Sequence, residues 1–207
     1  SVLYDLATRR NVNVGFPARG FAFSENPDPN GFPANDVYVD WFGQADARWQ
    51  YDPETERYYR WSDGVPHMDA ADNTQIFADN LIVLEVEHRE RPDLFPPDSN
   101  YQSLDIVLRS DEEGEVAQGR AYVIRNGVYY QGFWRRMNDQ PGSALQLVYG
   151  DNTPMMLQPG RSWVSVVRGL GNNVTISEEY ADMAATSTAV ALTATSTPDP
   201  SAINTDE

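Results

Sequence analysis

The stretch Ala121-Tyr122-Val123-Ile124-Arg125-Asn126-Gly127-Val128-Tyr129-Tyr130-Gln131-Gly132-Phe133-Trp134 sets two β-prone runs on either side of Asn-Gly. That dipeptide favours a type I′ turn, whose two central residues both need positive φ. A two-residue loop then places Tyr122 opposite Gln131, Val123 opposite Tyr130 and Ile124 opposite Tyr129. Side chains alternate between the faces of a strand, so Val123 and Tyr130 lie on one face and Ile124 and Tyr129 on the other. Apolar weight on both faces predicts a hairpin in the middle of a sheet.

The same reading extends outward. Arg48-Trp49-Gln50-Tyr51 and Arg57-Tyr58-Tyr59-Arg60-Trp61 flank the Pro-containing turn Asp52–Glu56, and Asp63-Gly64 marks a further turn. Asp36–Phe42 alternates polar and apolar residues as a half-buried strand does. Further strands are predicted at Asn80–Glu87, Ser103–Arg109, Leu145–Tyr149 and Trp163–Arg168, the last introduced by Gln158-Pro159-Gly160. Residues Val2–Arg10 read as a short helix capped by Ser1. From Gly169 onward there is no basic residue, and Ala184–Pro200 is nearly all Ala, Thr, Ser, Val and Pro. Such a composition cannot offset its ordering entropy by burial and predicts disorder.

The expected architecture is therefore mainly β within an α+β frame: an antiparallel, hairpin-rich domain with a short N-terminal helix and a disordered C-terminal tail. Residues 1–35 form a helix and extended lead-in, expected to end an upstream domain. Residues 36–170 form the β-rich domain, and residues 171–207 the Thr/Ala/Ser/Pro tail.

Composition restricts the chemistry. The 207 residues carry 31 acidic and 15 basic side chains, a formal charge of −16 that repels phosphate backbones and argues against nucleic acid. Every basic residue is arginine, which excludes lysine Schiff bases and the Walker loop. Absence of cysteine excludes thiol nucleophiles, disulfides and zinc-thiolate sites within this segment. No run of apolar residues reaches the ~20 that cross a bilayer. No sequence feature calls for a cofactor or a metal. The loop Asn26-Pro27-Asp28-Pro29-Asn30-Gly31 imitates a calcium-binding opening, but Val37 stands where a bidentate glutamate is needed.

Two groups of residues are candidate sites. His67 and Asp69, two residues apart on extended chain, share one face and could form an acid–base pair or supply two metal ligands, with Asp72 a further candidate beside them; the plainer reading has them hold the loop after Asp63-Gly64. Arg60, Trp61, Tyr130, Trp134 and Arg136 combine aromatic rings with guanidinium groups, as a sugar- or peptide-binding surface does. The plainer reading of these aromatics is core.

Five ordered segments carry a resemblance: Trp49–Trp61, Asp63–Ala70, Asn80–Val83, Gly119–Arg135 and Leu157–Trp163. Together they resemble the C-terminal domain of the YerB-like lipoproteins, a bacterial family of unknown function, over about residues 36 to 168, and Ser1–Phe23 resembles the end of that family's N-terminal domain. The resemblance implies an exported, extracytoplasmic protein, attached to the membrane only through an anchor upstream of Ser1. Its partner would be a protein or another cell-envelope component. No catalytic residues carry over, and the Thr/Ala/Ser tail departs from the family's usual ending. The expected function is non-enzymatic binding in the envelope; the alternative is a hydrolase of envelope substrates using His67, Asp69 and Asp72.

Overall fold

The computed structural model describes residues 20–41, 46–91, 103–109, 116–136 and 144–183. The N-terminal helix expected at Ser1–Arg10 and the segment Ala184–Pro200 lie outside them.

The lead-in contributes two short strands, β1 (Ala22–Phe23) and β2 (Phe32–Pro33). An antiparallel meander follows: β3 (Asp36–Asp40), β4 (Asp46–Asp52), β5 (Arg57–Ser62) and β6 (Val65–Pro66), with β7 (Phe77–Ala78) also pairing with β5. Next come β8 (Asn80–Glu85), the hairpin β9 (Glu87–Arg91) and β10 (Ser103–Val107), and the long hairpin β11 (Ala117–Arg125) and β12 (Val128–Arg136). The chain then forms β13 (Leu145–Val148), β14 (Met156–Leu157), β15 (Ser162–Val167), the single turn α1 (Leu170–Asn173) and β16 (Val174–Ser177).

Two six-stranded sheets result. The first has the order β16-β3-β4-β5-β6, with β7 also on β5; the second is β13-β12-β11-β8-β15, with β2 also on β12. Tyr122 pairs with Gln131, Val123 with Tyr130 and Ile124 with Tyr129, the register expected from Asn126-Gly127. Both turn residues have positive φ, 51° and 73°. The hairpin is internal, because β8 covers β11 and β13 and β2 cover parts of β12. Asp63 and Gly64 repeat the device between β5 and β6, with φ of 49° and 76°. Two pairs depart from the antiparallel rule: β15 joins β8 in parallel, and β14 joins β1 in parallel.

One core lies between the sheets: Val37, Val39, Trp49 and Tyr58 of the first meet Leu81, Val83, Ile124 and Val167 of the second. A second core covers the other face of the second sheet, where Ile82, Leu84, Val123 and Tyr130 pack under Leu147, Met155 and Leu157. Burial on both faces explains why β8 reads Leu81-Ile82-Val83-Leu84 rather than alternating. Two buried polar residues stitch the layers. Asn80 donates from Nδ2 to the Gln158 carbonyl (2.8 Å) and accepts the Gln158 N–H at Oδ1 (2.7 Å). Arg125, fully buried, donates to the carbonyls of Ser24 (2.8 Å) and Glu25 (2.9 Å) and so fastens the lead-in.

The boundary expected at residue 170 is corrected. Leu170 is buried, β16 forms an antiparallel edge on β3, and Ala181 N–H donates to Asp36 (3.0 Å). Val174-Thr175-Ile176-Ser177 is a short alternating strand that an existing edge can recruit. The expected mainly β character holds: among the described residues α1 is the only complete helix. No helix there is long and apolar enough to cross a membrane.

Candidate functional site

The expected His67 group divides. His67 uses its backbone, donating N–H to the Arg60 carbonyl (3.0 Å) and accepting from Ile76 N–H (2.8 Å). Its ring Nδ1 is buried with no hydrogen-bond partner. Asp69 accepts the Ala71 N–H (2.8 Å), and Asp72 accepts both the N–H and the hydroxyl of Thr74 (2.9 and 2.6 Å). Those Thr74 bonds hold the Asp72 carboxyl below its ordinary range. The two carboxylates thus shape the loop, and neither bonds the imidazole.

The five residues expected to share one binding surface are separated by the fold. Arg60 is 9% exposed and lies between the sheets, its guanidinium 5.1 Å from the Trp163 ring and 5.9 Å from Trp49. Burial lowers its pKa, and Nε and Nη1 have no hydrogen-bond partner. The Trp61 indole nitrogen is likewise buried and unbonded. Tyr130 and Trp134 are 4% and 3% exposed, so both are core side chains that only edge a cavity. Arg136 alone of the five reaches a cleft as a charged, part-exposed group.

That cleft is the strongest candidate. The β9–β10 hairpin leans past the ends of β11 and β12 and leaves two adjoining cavities of about 560 and 500 Å³, which share Arg89, Val107 and Arg109. Arg168 lines the first cavity; Arg91 and Arg136 line the second. Arg89 is paired with Glu87 (2.9 Å) and Arg91 with Asp105 (2.9 Å). No carboxylate among the described residues pairs with Arg109 or Arg136; Arg136 makes one long bond, 3.4 Å, to the Leu108 carbonyl. Five guanidinium groups therefore line the two cavities, whose described lining carries three carboxylates, Glu85, Glu87 and Asp105.

The floor is rigid. Trp134 donates its indole N–H to the Glu85 carbonyl (2.7 Å). The Glu85 side chain takes a two-nitrogen clasp from Arg120 and the Leu170 N–H (2.8 Å). The Arg120 bonds hold the Glu85 carboxyl below its ordinary 4.5. Glu85 is thereby a fixed anion with little capacity left to quench the arginines of the cleft.

Residues 37–164, which take in most of both sheets but leave out β2 and β16, match the family described as "Protein of unknown function (DUF3048) C-terminal domain". The chain belongs to the DUF3048 C-terminal domain family. The solved structure of YerB protein from Bacillus subtilis shares the fold of this DUF3048 domain, with a TM-score of 0.57 and 20% sequence identity. The match covers 84% of this chain and 52% of that one, so this chain spans about half the length of the YerB structure. No curated protein matches the chain.

Sequence reasoning named Arg136 but missed Arg89, Arg91, Arg109 and Arg168 as its companions. With Arg136 they lie on four separate segments, and no local motif joins them. The available signal was scarcity: the chain has 15 arginines against 31 acidic residues, so each arginine stands out.

Proposed function

We propose that this DUF3048 domain is a non-enzymatic binding module of the bacterial cell envelope, and that its arginine-lined cleft receives a carboxylate or phosphate group of a partner. The observation that carries this reading is the pair Arg109 and Arg136. In a protein with 31 acidic residues, two arginines face a cavity with no carboxylate partner among the described residues. A guanidinium presents a planar fork of donors that matches a carboxylate or phosphate oxygen pair. The surrounding negative charge repels long anions such as nucleic acid, so the cleft selects a compact anionic group over a polyanion. Asp69 and Asp72 are engaged in closing their own loop, which weighs for binding over hydrolysis. The envelope location rests on the resemblance to exported lipoproteins.

Calorimetric titration with inorganic phosphate and with citrate tests the reading. Wild type should bind at least one of them. The double variant R109Q/R136Q should bind at least about tenfold more weakly, and added salt should weaken wild-type binding. Absence of binding to both probes, or equal binding by the variant, overturns it.

A further inference from the structure

A second cleft lies beyond the reach of these arginines, at a gap in the edge of β12. On that edge β2 pairs with Val128 and Tyr129, and β13 pairs with Phe133 to Arg136. Between them no strand among the described residues covers Tyr130 to Gly132. In an antiparallel ladder, alternate residues turn their peptide groups away from the neighbouring strand. With Val128 closing the turn against Arg125, the residues facing away from β11 are Tyr129, Gln131 and Phe133. Tyr129 and Phe133 spend those groups on β2 and β13. The Gln131 N–H and carbonyl face the gap.

The chain walls this gap rather than filling it, leaving a cavity of about 400 Å³. That lies within the ~300–1,000 Å³ span of small-molecule sites. The Asp28–Asn30 turn forms one wall: Asp28 Oδ1 holds the Asn30 N–H (3.0 Å), and its carbonyl accepts the Tyr130 hydroxyl (2.7 Å). The opposite wall is the turn after β13, where Asp151 Oδ1 takes the Thr153 N–H and hydroxyl (2.9 and 2.7 Å) and Oδ2 has no hydrogen bond among the described residues. Tyr149 stands edge-on to Tyr130 (6.4 Å, 82°), and burial, then the Asp28 charge, raise its pKa. Its hydroxyl therefore stays protonated. Phe32, 54% exposed, forms the rim and braces its ring against Tyr129 at 5.5 Å.

This chemistry describes its ligand. The charged residues lining the cavity, Asp28 and Asp151, are both negative, so an anion is repelled. A cationic ammonium is held by several aromatic faces around it, whereas here Tyr130 is 4% exposed and packed edge to face with Tyr149, so that Phe32, 54% exposed, is the most open of the three lining rings. What remains suits a neutral ring with one apolar face and several hydroxyls. Its C–H face would lie on Phe32. Its hydroxyls would donate to Asp151 Oδ2 and the Gln131 carbonyl, and accept from the Gln131 N–H. We propose that this cleft binds a neutral saccharide. The site is separate from the arginine cleft and shares no residue with it.

The test is a nitrogen–proton NMR titration of the full chain with glucose, cellobiose and N-acetylglucosamine, and with choline as a cationic comparator. At least one saccharide should shift the Gln131 amide and its neighbours. F32A and D151N should each weaken that binding at least about tenfold, while R109Q/R136Q should not change it. Both substituted side chains are exposed, and Asn can keep the 151 turn, so folding is checked by melting. If F32A fails to fold, D151N alone decides. No response to any of the three sugars at saturating concentration, a response unchanged in D151N, or binding of choline alone overturns the proposal.

Discussion

The missing side chain of Gly119 makes the room that Trp134 occupies: a Cβ at 119 would stand 2.5 Å from the indole Nε1 and 2.5 Å from the Glu85 carbonyl oxygen. The two residues are cross-strand partners on β11 and β12. Gly119 thus permits the indole–Glu85 bond that floors the arginine cleft. One atom of that contact is backbone and cannot swing aside. G119A should destabilise the domain by about 1–3 kcal/mol, the usual range for forced overpacking. Urea melts of the two proteins check this; equal midpoints would show that the indole is not seated against Gly119.

The Asn126-Gly127 turn is tested by G127V. A β-branched side chain at φ 73° costs about 1–3 kcal/mol in backbone strain. The new Cβ would also meet the Tyr51 ring at 2.9 Å. A calorimetric melt should show the loss, and an unchanged melt would mean that the turn tolerates another geometry.

Truncation tests the corrected C-terminal boundary. A chain ending at Met183 keeps β16, the Ala181–Asp36 bond and the Tyr180 hydroxyl on the Tyr51 carbonyl (2.9 Å). A chain ending at Gly171 loses all three and should melt more than about 5 °C lower. Equal melting temperatures would show that residues 172–183 add nothing to the fold.

Acid should act partly through Glu85. Its folded carboxyl is held below its ordinary value of 4.5, chiefly by the Arg120 hydrogen bonds, so the unfolded chain binds the proton first as pH falls. The stabilisation is complete above about pH 4.5 and drains away as pH falls through the folded value. E85Q should therefore be less stable at pH 7 and lose less than wild type between pH 5 and about pH 3. Denaturant melts at those pH values decide; parallel acid limbs would place the acid sensitivity elsewhere.

Much of the fold was legible because turn chemistry is local. Asn126-Gly127 and Asp63-Gly64 each state a backbone geometry in two residues, and the flanking register follows. The run Leu81–Leu84 stated a buried strand but not its neighbour, because parallel pairing with β15 leaves no mark at either partner. β16 was hidden for a different reason. Its four residues are too short a signal beside the acidic stretch that follows, and only the free edge of β3 gives them a place. For the sites, the same residue types served two ends. Tyr130, Trp134 and Arg60 looked like recognition chemistry, yet their apolar surface is spent on packing. Arg89, Arg91, Arg109, Arg136 and Arg168 carry no common spacing, and the fold alone brings them together.

The parallel pairing of β8 with β15 also sets a timetable for folding. Asn80 and Ser162 lie side by side although 82 positions separate them in sequence. The β11–β12 hairpin and the β3–β5 meander can form from local contacts, but closing so long a loop is slow. During synthesis one edge of β8, with its strongly apolar side chains, has no strand beside it until Val167 has emerged. In that interval it is a template for any extended apolar segment nearby, another nascent copy included. Aggregation of this domain should therefore track how long β8 waits for β15, and substitutions that delay the arrival of β15 should harm yield more than they harm the stability of the finished protein.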